Sequence, residues 1–188
     1  MNANTDIDLG VLHDAITADI KAAFPSLVTV EFYQDEPEMR KNLPIPACLL
    51  TLSEMEVDQE IDPGTEQLAV NATFEAYFLI NSLRTPRAKL AIRQNIAAFM
   101  AWLRLRRWTN PDDPSKKLPT GPAYVMGGYP DDFQPEIDKY EVWRVEWQQV
   151  IHLGNTIWTD EGTTPGNPVY SWSPDIGFGH EEDYKPIL

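Results

Sequence analysis

The most constraining feature of the sequence is a stretch of alternating side chains, EVWRVEWQQVIHLG, at residues 141–154. Successive side chains of an extended chain point to opposite faces, so a period of two predicts a half-buried β-strand. One side is apolar apart from a single glutamine: Trp143, Val145, Trp147, Gln149, Ile151 and Leu153. The other side is mainly polar: Arg144, Glu146, Gln148 and His152, with Val142 and Val150. At roughly 3.3 Å per residue this strand spans about 45 Å, roughly twice the usual length. Such length suggests a role beyond closing a small core.

Two amphipathic helices are predicted from apolar residues that recur every three or four positions. The first covers residues 9–23, with Asp8 placed to cap its start and Phe24-Pro25 to end it. Its apolar stripe is Leu9, Leu12, Ile16, Ile20 and Ala23. The second is expected to open at Thr85-Pro86, a capping residue before a proline, and to run to about Trp108. Its stripe is Ala88, Ile92, Ile96, Phe99 and Leu103.

Four further segments show strand patterning: LVTVEFY (27–33), ACLLTLSEMEV (47–57), LAVNATFEAYFLI (68–80) and AYVMGGY (123–129). In the last of these, Gly127-Gly128 indicates a turn, a bulge or a close strand contact. Strands that follow one another directly favour antiparallel pairing. We therefore expect an α+β fold, a two-layer sandwich. Its mainly antiparallel sheet of about five strands carries both helices on one face. This domain is expected to span residues 1–154, followed by an irregular Gly-, Pro- and aromatic-rich arm at 155–188.

Charge and composition exclude several classes of function. The chain has 188 residues and a net charge of −14, which argues against sequence-independent binding to DNA or to an anionic membrane. We find no signal-like segment and no apolar run of spanning length, and we expect a soluble protein made in a cytosol. Cys48 is the only cysteine, which excludes an internal disulfide, and its apolar surroundings predict a buried thiol.

The sequence contains no convincing catalytic constellation. His13, His152 and His180 are widely separated, and no nucleophile elbow, zinc motif or phosphate loop is present. The acidic residues Asp131, Asp132 and Glu136 lie in a loop that we expect to be exposed. The run from His180 to Asp183 offers metal-ligand types, but acidic runs in irregular segments are usually solvated. We therefore predict no catalytic, cofactor-binding or metal-binding residue.

Charge is unevenly distributed along the chain. Residues 81–110, here called the basic segment, contain seven basic residues and no acidic one: Arg84, Lys89, Arg87, Arg93, Arg104, Arg106 and Arg107. Since the whole chain has 15 basic and 29 acidic residues, the remaining 158 residues have 8 and 29. Such segregation predicts contact between this surface and the opposite surface of another copy or a partner. Intramolecular pairing or simple solvation of these arginines is an equally good interpretation. Nucleic-acid binding is a weaker one, because the surrounding acidic residues oppose it.

The arm carries large aromatic residues without a periodicity that could build a core of its own: Trp158, Tyr170, Trp172, Phe178 and Tyr184. Aromatic residues in an unpatterned tail commonly dock on a folded surface. That surface can belong to the same protomer or to a neighbour, and both interpretations stay open.

Two segments, RTPRAKLAIRQNIAAFMAWL (84–103) and YPDDFQPEIDKYEVWRVEW (129–147), carry a family resemblance. Together with the element order, they resemble tail terminator (tail-completion) proteins of long-tailed bacteriophages, in the form found in Mu-like phages and prophages. The resemblance implies a homo-oligomeric ring, usually of six copies, at the head-proximal end of the tail. Such a ring ends growth of the tail tube and presents the docking face for the head connector. It carries over no catalytic residue or cofactor.

The resemblance also implies partners and a location. The partners are other copies of the chain, the tail-tube protein and a head–tail stopper or connector protein, with genomic DNA only passing through the lumen. The location is the tail or neck of the virion, after assembly in the host cytoplasm.

Three alternatives remain beside the terminator. One is another neck component, such as a head–tail stopper. A second is a metal-dependent enzyme using His180, Glu181, Glu182 and Asp183. The third is an acidic mimic of DNA, which the clustered arginines disfavour.

We expect subunit or partner contacts in three places. The first is a basic helix face: Arg87, Arg93, Arg104, Arg106 and Arg107. The second is the polar side of the last strand: Arg144, Glu146 and Gln148. The third is the arm, through Trp158 and Trp172.

Overall fold

A computed structural model of the chain describes residues 6–33, 43–61, 64–131, 140–157, 169–174, 176 and 178–186. The chain divides into two units. One spans residues 4–157, and the other comprises residues 1–3 and 158–188. Each unit is described by itself.

The larger unit is built on an open five-stranded sheet. Its strands are β1 (Thr29–Phe32), β2 (Ala47–Val57), β3 (Leu68–Asn81), β4 (Tyr124–Pro130) and β5 (Tyr140–Leu153). They lie in the order β1-β2-β3-β5-β4. The predicted α+β class is confirmed, and each strand lies within two residues of its predicted bounds at either end.

One pairing differs from the antiparallel rule that the sequence suggested. β1 and β2 are parallel, from Thr29 opposite Ala47 to Phe32 opposite Leu50. A parallel pair needs a crossover of about a dozen or more residues. The polar segment 33–46 provides this length. The other neighbouring strands of the sheet all pair antiparallel.

The longest ladder joins β3 to β5 without interruption. It runs from Leu68 opposite Leu153 to Asn81 opposite Tyr140, so both fourteen-residue strands pair over their whole length. The unusual length of β5 therefore matches an equally long partner. The predicted alternation is confirmed where β5 crosses the core, since Val145, Trp147 and Ile151 are buried.

The first helix, α1 (Leu9–Ala23), has the predicted bounds and caps. The carboxylate of Asp8 accepts a hydrogen bond of 2.9 Å from the backbone N–H of Val11, a donor that the first turn leaves unpaired. The helix ends at Phe24, whose N–H still bonds to the carbonyl of Ile20.

The second helix, α2 (Ala88–Leu103), is shorter than predicted at both ends. Neither Thr85 nor Pro86 begins it, because Asn81 closes a turn there by accepting hydrogen bonds from the N–H groups of Leu83 and Arg84. The N-cap is instead Arg87, in the left-handed conformation with φ 51°.

The C-terminal end of α2 is also set by tertiary contacts. Leu105 takes a left-handed conformation with φ 59°, and its N–H bonds to the carbonyl of Ala123 at 2.9 Å. This bond draws the chain back beside the sheet before it reaches Trp108. The predicted helix end at Trp108 is therefore wrong.

Both helices pack on the same face of the sheet. The ring of Phe99 on α2 lies 4.8 Å from the ring of Phe78 and 6.4 Å from the ring of Trp147 on the sheet. The ring of Phe24, at the end of α1, lies 5.6 Å from the same Phe99 ring. The predicted stripe of α2 is confirmed: Ala88, Ile92, Ile96, Phe99 and Leu103 are all buried. Neither α1 nor α2 packs on the other face of the sheet. No helix of the described residues is long and apolar enough to cross a membrane.

Cys48 lies at the start of β2 and is completely buried, as predicted. Burial without a charged partner raises the pKa of the thiol far above its ordinary value. The reactive thiolate is therefore scarce as well as inaccessible.

We expect Cys48 to react with a thiol reagent only after the chain opens. The reaction rate should rise steeply with denaturant, together with the loss of tryptophan fluorescence. Rapid labelling of the native protein at neutral pH would contradict this placement.

The glycine pair of β4 combines a bulge with two close approaches. The pairing of β4 with β5 shifts between Val125 and Gly127. A Cβ on Gly127 would lie 2.4 Å from the hydroxyl of Tyr129, and one on Gly128 would lie 2.8 Å from Ile96 Cγ2 and 2.9 Å from Met100 Sδ. Gly128 thus allows α2 to pack directly on the sheet.

Gly128→Ala should lower the free energy of unfolding by about 1–3 kcal/mol, because the added methyl group overpacks the contact between α2 and β4. Gly127→Ala is the matched control. Its obstacle is the half-exposed ring of Tyr129, which can rotate away, so its effect should stay within about 1 kcal/mol. Denaturant unfolding measures both, and equal effects would contradict the assignment of Gly128 as the packing residue.

The smaller unit contains regular structure that the sequence pattern did not reveal. β6 (Val169–Tyr170) and β7 (Lys185–Pro186) form a short antiparallel ribbon, and Glu181–Asp183 forms a 3-10 helix. The arm is therefore not irregular throughout. Its two strands are too short to show a period of two. The rings of Tyr170 and Trp172 meet edge to face at 6.3 Å, and Trp172 is exposed. Trp158 lies outside the described residues.

Candidate interaction surfaces

Gln149 is the polar residue on the apolar side of β5, and it is buried. Its Oε1 accepts hydrogen bonds from the indole N–H groups of Trp108 at 2.6 Å and Trp147 at 3.2 Å. Its Nε2 donates to the carbonyls of Gly121 at 2.9 Å and Arg106 at 3.3 Å. All donors and acceptors of this amide are used. Gln149 thereby ties the connection between α2 and β4 to the sheet.

Gln149→Leu should lower the free energy of unfolding by about 2–4 kcal/mol, because it leaves two indole N–H groups buried without an acceptor. Gln148→Leu is the matched control on the next residue, whose side chain is half-buried on the other face and makes one bond, to Thr73. Its effect should stay below about 1 kcal/mol. Thermal and denaturant unfolding measure both, and similar losses would contradict the role of Gln149.

The basic segment does not form one helix face. Arg104, Arg106 and Arg107 follow the last residue of α2, so the predicted basic helix face is wrong for these three. They form an exposed turn around Leu105, here called the basic turn (Arg104–Arg107). Because the carbonyl of Arg106 accepts from both Gln149 and Ala123, the backbone of this turn is held in place.

The structure divides the arginines of the basic segment into two groups. The guanidinium of Arg106 lies 3.9 Å from the Trp102 ring, and that of Arg93 lies 4.9 Å from the Trp143 ring. These two are engaged within the protomer, by cation–π contacts. The others, Arg84, Arg87, Arg104 and Arg107, are exposed, and no ion pair joins them to any described residue.

The polar side of β5 is part of a network on the sheet face opposite α1 and α2. Arg144 Nη1 contacts Glu75 Oε1 at 2.9 Å, and the hydroxyl of Tyr77 donates to Glu75 Oε2 at 2.6 Å. Partial burial, together with the hydrogen bond to Glu75, raises the pKa of Tyr77. Glu146 lies opposite Glu75 in the ladder. Cross-strand contacts thus already engage Arg144, which makes it a weaker candidate for an intersubunit ion pair.

A surface that the sequence analysis missed lies on the outer half of β2. β1 pairs with β2 only as far as Leu50, while β2 continues to Val57 beside β3. Within the described ranges, no strand pairs with the outer side of β2 from Thr51 to Val57. Unpaired strand edges of this kind are templates for pairing with another chain.

The side chains of this outer half combine acidic and apolar groups. Residues 54–57, here called the acidic edge, are all exposed: Glu54, Met55, Glu56 and Val57. Met55 is 50% exposed and Val57 55% exposed. In register, Met55 and Val57 lie opposite Ala72 and Val70, on the face that the helices cover elsewhere. The sequence SEMEV contains this alternation of acidic and apolar residues. Only the strand register shows that β1 ends before this half of β2.

The acidic edge is held rigidly although it is exposed. Asn71 donates to the Asp58 carboxylate at 3.1 Å just after β2 ends. Before β3 begins, Gln67 Nε2 donates to the carbonyl of Gly154 at 2.8 Å. These bonds anchor both sides of the hairpin to the sheet, so the edge projects as a fixed surface.

No cluster of three or more His, Cys, Asp or Glu side chains suitable for a metal occurs among the described residues. His180 Nδ1 lies 3.0 Å from Asp183 Oδ2, which is a local contact within one turn. His13 lies against the rings of Phe32 and Tyr33, and burial lowers its pKa.

No protein-family model matches this chain, and no curated protein matches it.

Proposed function

We propose that this chain is a structural assembly protein that forms a head-to-tail ring, acting as a tail terminator at the head-proximal end of a phage tail. One observation carries the proposal. A single rigid sheet presents two unlike open surfaces, the acidic edge on β2 and the basic turn beyond β5, on opposite sides of β3.

Symmetry explains why this observation favours a ring. A closed ring is built from heterologous contacts, in which each copy uses two different surfaces. A two-fold dimer would need only one self-complementary surface. Opposite charges on opposite sides of the sheet satisfy the first requirement, and the family resemblance of residues 84–103 and 129–147 supplies the biological setting.

The overall charge supports a passage for DNA. A net charge of −14 repels phosphates, so a ring made from this chain would let DNA pass without holding it. Three of the exposed basic residues, Arg87, Arg104 and Arg107, belong to intersubunit contacts in this proposal rather than to the lumen.

Adding the purified chain to polymerising tail-tube subunits of its own phage should arrest growth and yield shorter tubes with one capped end. The physical reason is that the ring occupies the growing end and offers no further tube-binding surface. Tube lengths are measured by negative-stain electron microscopy at several ratios of chain to tube subunit.

Chain that has been heat-unfolded is the control and should leave tube length unchanged. Unaltered tube lengths with the folded chain would contradict the terminator role. Binding to the head connector without any arrest of tube growth would instead favour a stopper.

A further inference from the structure

We infer that the acidic edge of one protomer binds the basic turn of the next protomer, an inference that rests on the proposed ring. The occupant of each surface is thus a second copy of this chain. The contact is heterologous, so each protomer gives its acidic edge to one neighbour and its basic turn to the other.

Charge complementarity is the first argument. Glu54 and Glu56 are exposed on the edge, and Arg104 and Arg107 are exposed on the turn. Within the described part of the chain, none of the four forms an ion pair. Joining them across protomers pairs two carboxylates with two guanidinium groups, the geometry that arginine favours.

Apolar complementarity is the second argument. Leu105 lies between the arginines and is 55% exposed, while Met55 and Val57 alternate with the two glutamates. On the acidic edge, Met55 and Val57 point to the helix-bearing face of the sheet and the two glutamates point to the opposite face. Both surfaces thus present exposed apolar side chains next to charged ones, a combination that is common in protein interfaces.

The backbone conformation of Leu105 also supports the proposed contact. A leucine with positive φ is sterically strained, and this conformation persists only where the surroundings hold it. Here the Ala123 carbonyl and the bonds of Gln149 hold the turn, and the result is an exposed apolar side chain between two arginines.

Placement in the sheet is the third argument. The acidic edge lies on the outer side of β2, and the basic turn lies beyond β5, where Leu105 bonds to Ala123 and Gly121 bonds to Val150. β3 and β5 separate the two surfaces. They cannot meet within one protomer while the sheet is intact, so only another copy can bring them together.

Site-directed cross-linking tests the contact directly, because Cys48 is buried and each variant then carries one accessible cysteine. Met55→Cys and Leu105→Cys chains, mixed in equal amounts and oxidised, should give a disulfide-linked heterodimer. Each variant alone, and the unaltered chain, should give at least about tenfold less dimer, since two edges or two turns repel each other.

Charge reversal supplies the second readout. In the cross-linking background, replacing Arg104 and Arg107 with glutamate should reduce heterodimer at least about tenfold, because four acidic groups then meet. Replacing Glu54 and Glu56 with arginine on the partner chain should restore it. Arg84→Glu with Lys89→Glu, an equal charge change at the other end of α2, is the matched control and should leave cross-linking unchanged. Circular dichroism checks that each variant is folded.

Three results would overturn the contact. The first is that no heterodimer forms, and the second is that either cysteine variant forms homodimers equally well. The third is that arginine at positions 54 and 56 does not restore the heterodimer lost when Arg104 and Arg107 are replaced with glutamate. Failure of the contact and failure of the proposed function can be distinguished. Arrest of tube growth by both the unaltered chain and the Arg104/Arg107 reversal variant leaves the terminator in place while rejecting this interface. A chain that cross-links as expected without arresting tube growth retains the interface and rejects the terminator.

Discussion

The uninterrupted ladder between β3 and β5 is the constraint on which the rest of the structure depends. Fourteen residues of each strand pair in a single register. With β3 held in place, a slip of β5 by one residue would turn Trp147 out of the core and bring Glu146 into it. The two apolar strands stack the rings of Phe74 and Trp147 at 5.3 Å and give both helices one continuous surface to cover. The same β3 strand pairs with the outer half of β2, from Glu54 to Val57.

Gln149 joins the basic turn to the sheet through a hydrogen bond to the carbonyl of Arg106. A leucine at this position would remove the two hydrogen bonds from Gln149 to the connection after α2 and leave only backbone bonds, such as that from Gly121 to Val150, to join it to the sheet. The amide accepts from two buried indoles and donates to two carbonyls, one of them in the basic turn. Buried polar networks that are fully satisfied add rigidity and specificity more than net stability. In this chain, the rigidity positions a surface.

The arginines of this chain occupy several different structural environments. Arg106 and Arg93 stack on tryptophan rings, and Arg144 completes a network with Glu75 and Tyr77. Arg104 and Arg107 remain exposed beside Leu105. Intramolecular contacts therefore account for part of the basic charge, and the contact proposed above uses arginines that these contacts leave exposed. Which arginine takes which role depends on the aromatic ring or carboxylate that the fold places beside it.

Local patterns determined much of this protein from the sequence alone. Alternation identified β5 and β3, the spacing of apolar residues identified the buried stripe of α2, and Asp8 capped α1 as expected, because these effects act over a few residues. Only the tertiary structure decided the ends of α2, where Asn81 and the Ala123 carbonyl compete with helical hydrogen bonds. It also decided the parallel pairing of β1 and the exposure of the β2 edge. Those outcomes depend on which strands become neighbours, and neighbours in a sheet are chosen by contacts between residues far apart in the chain.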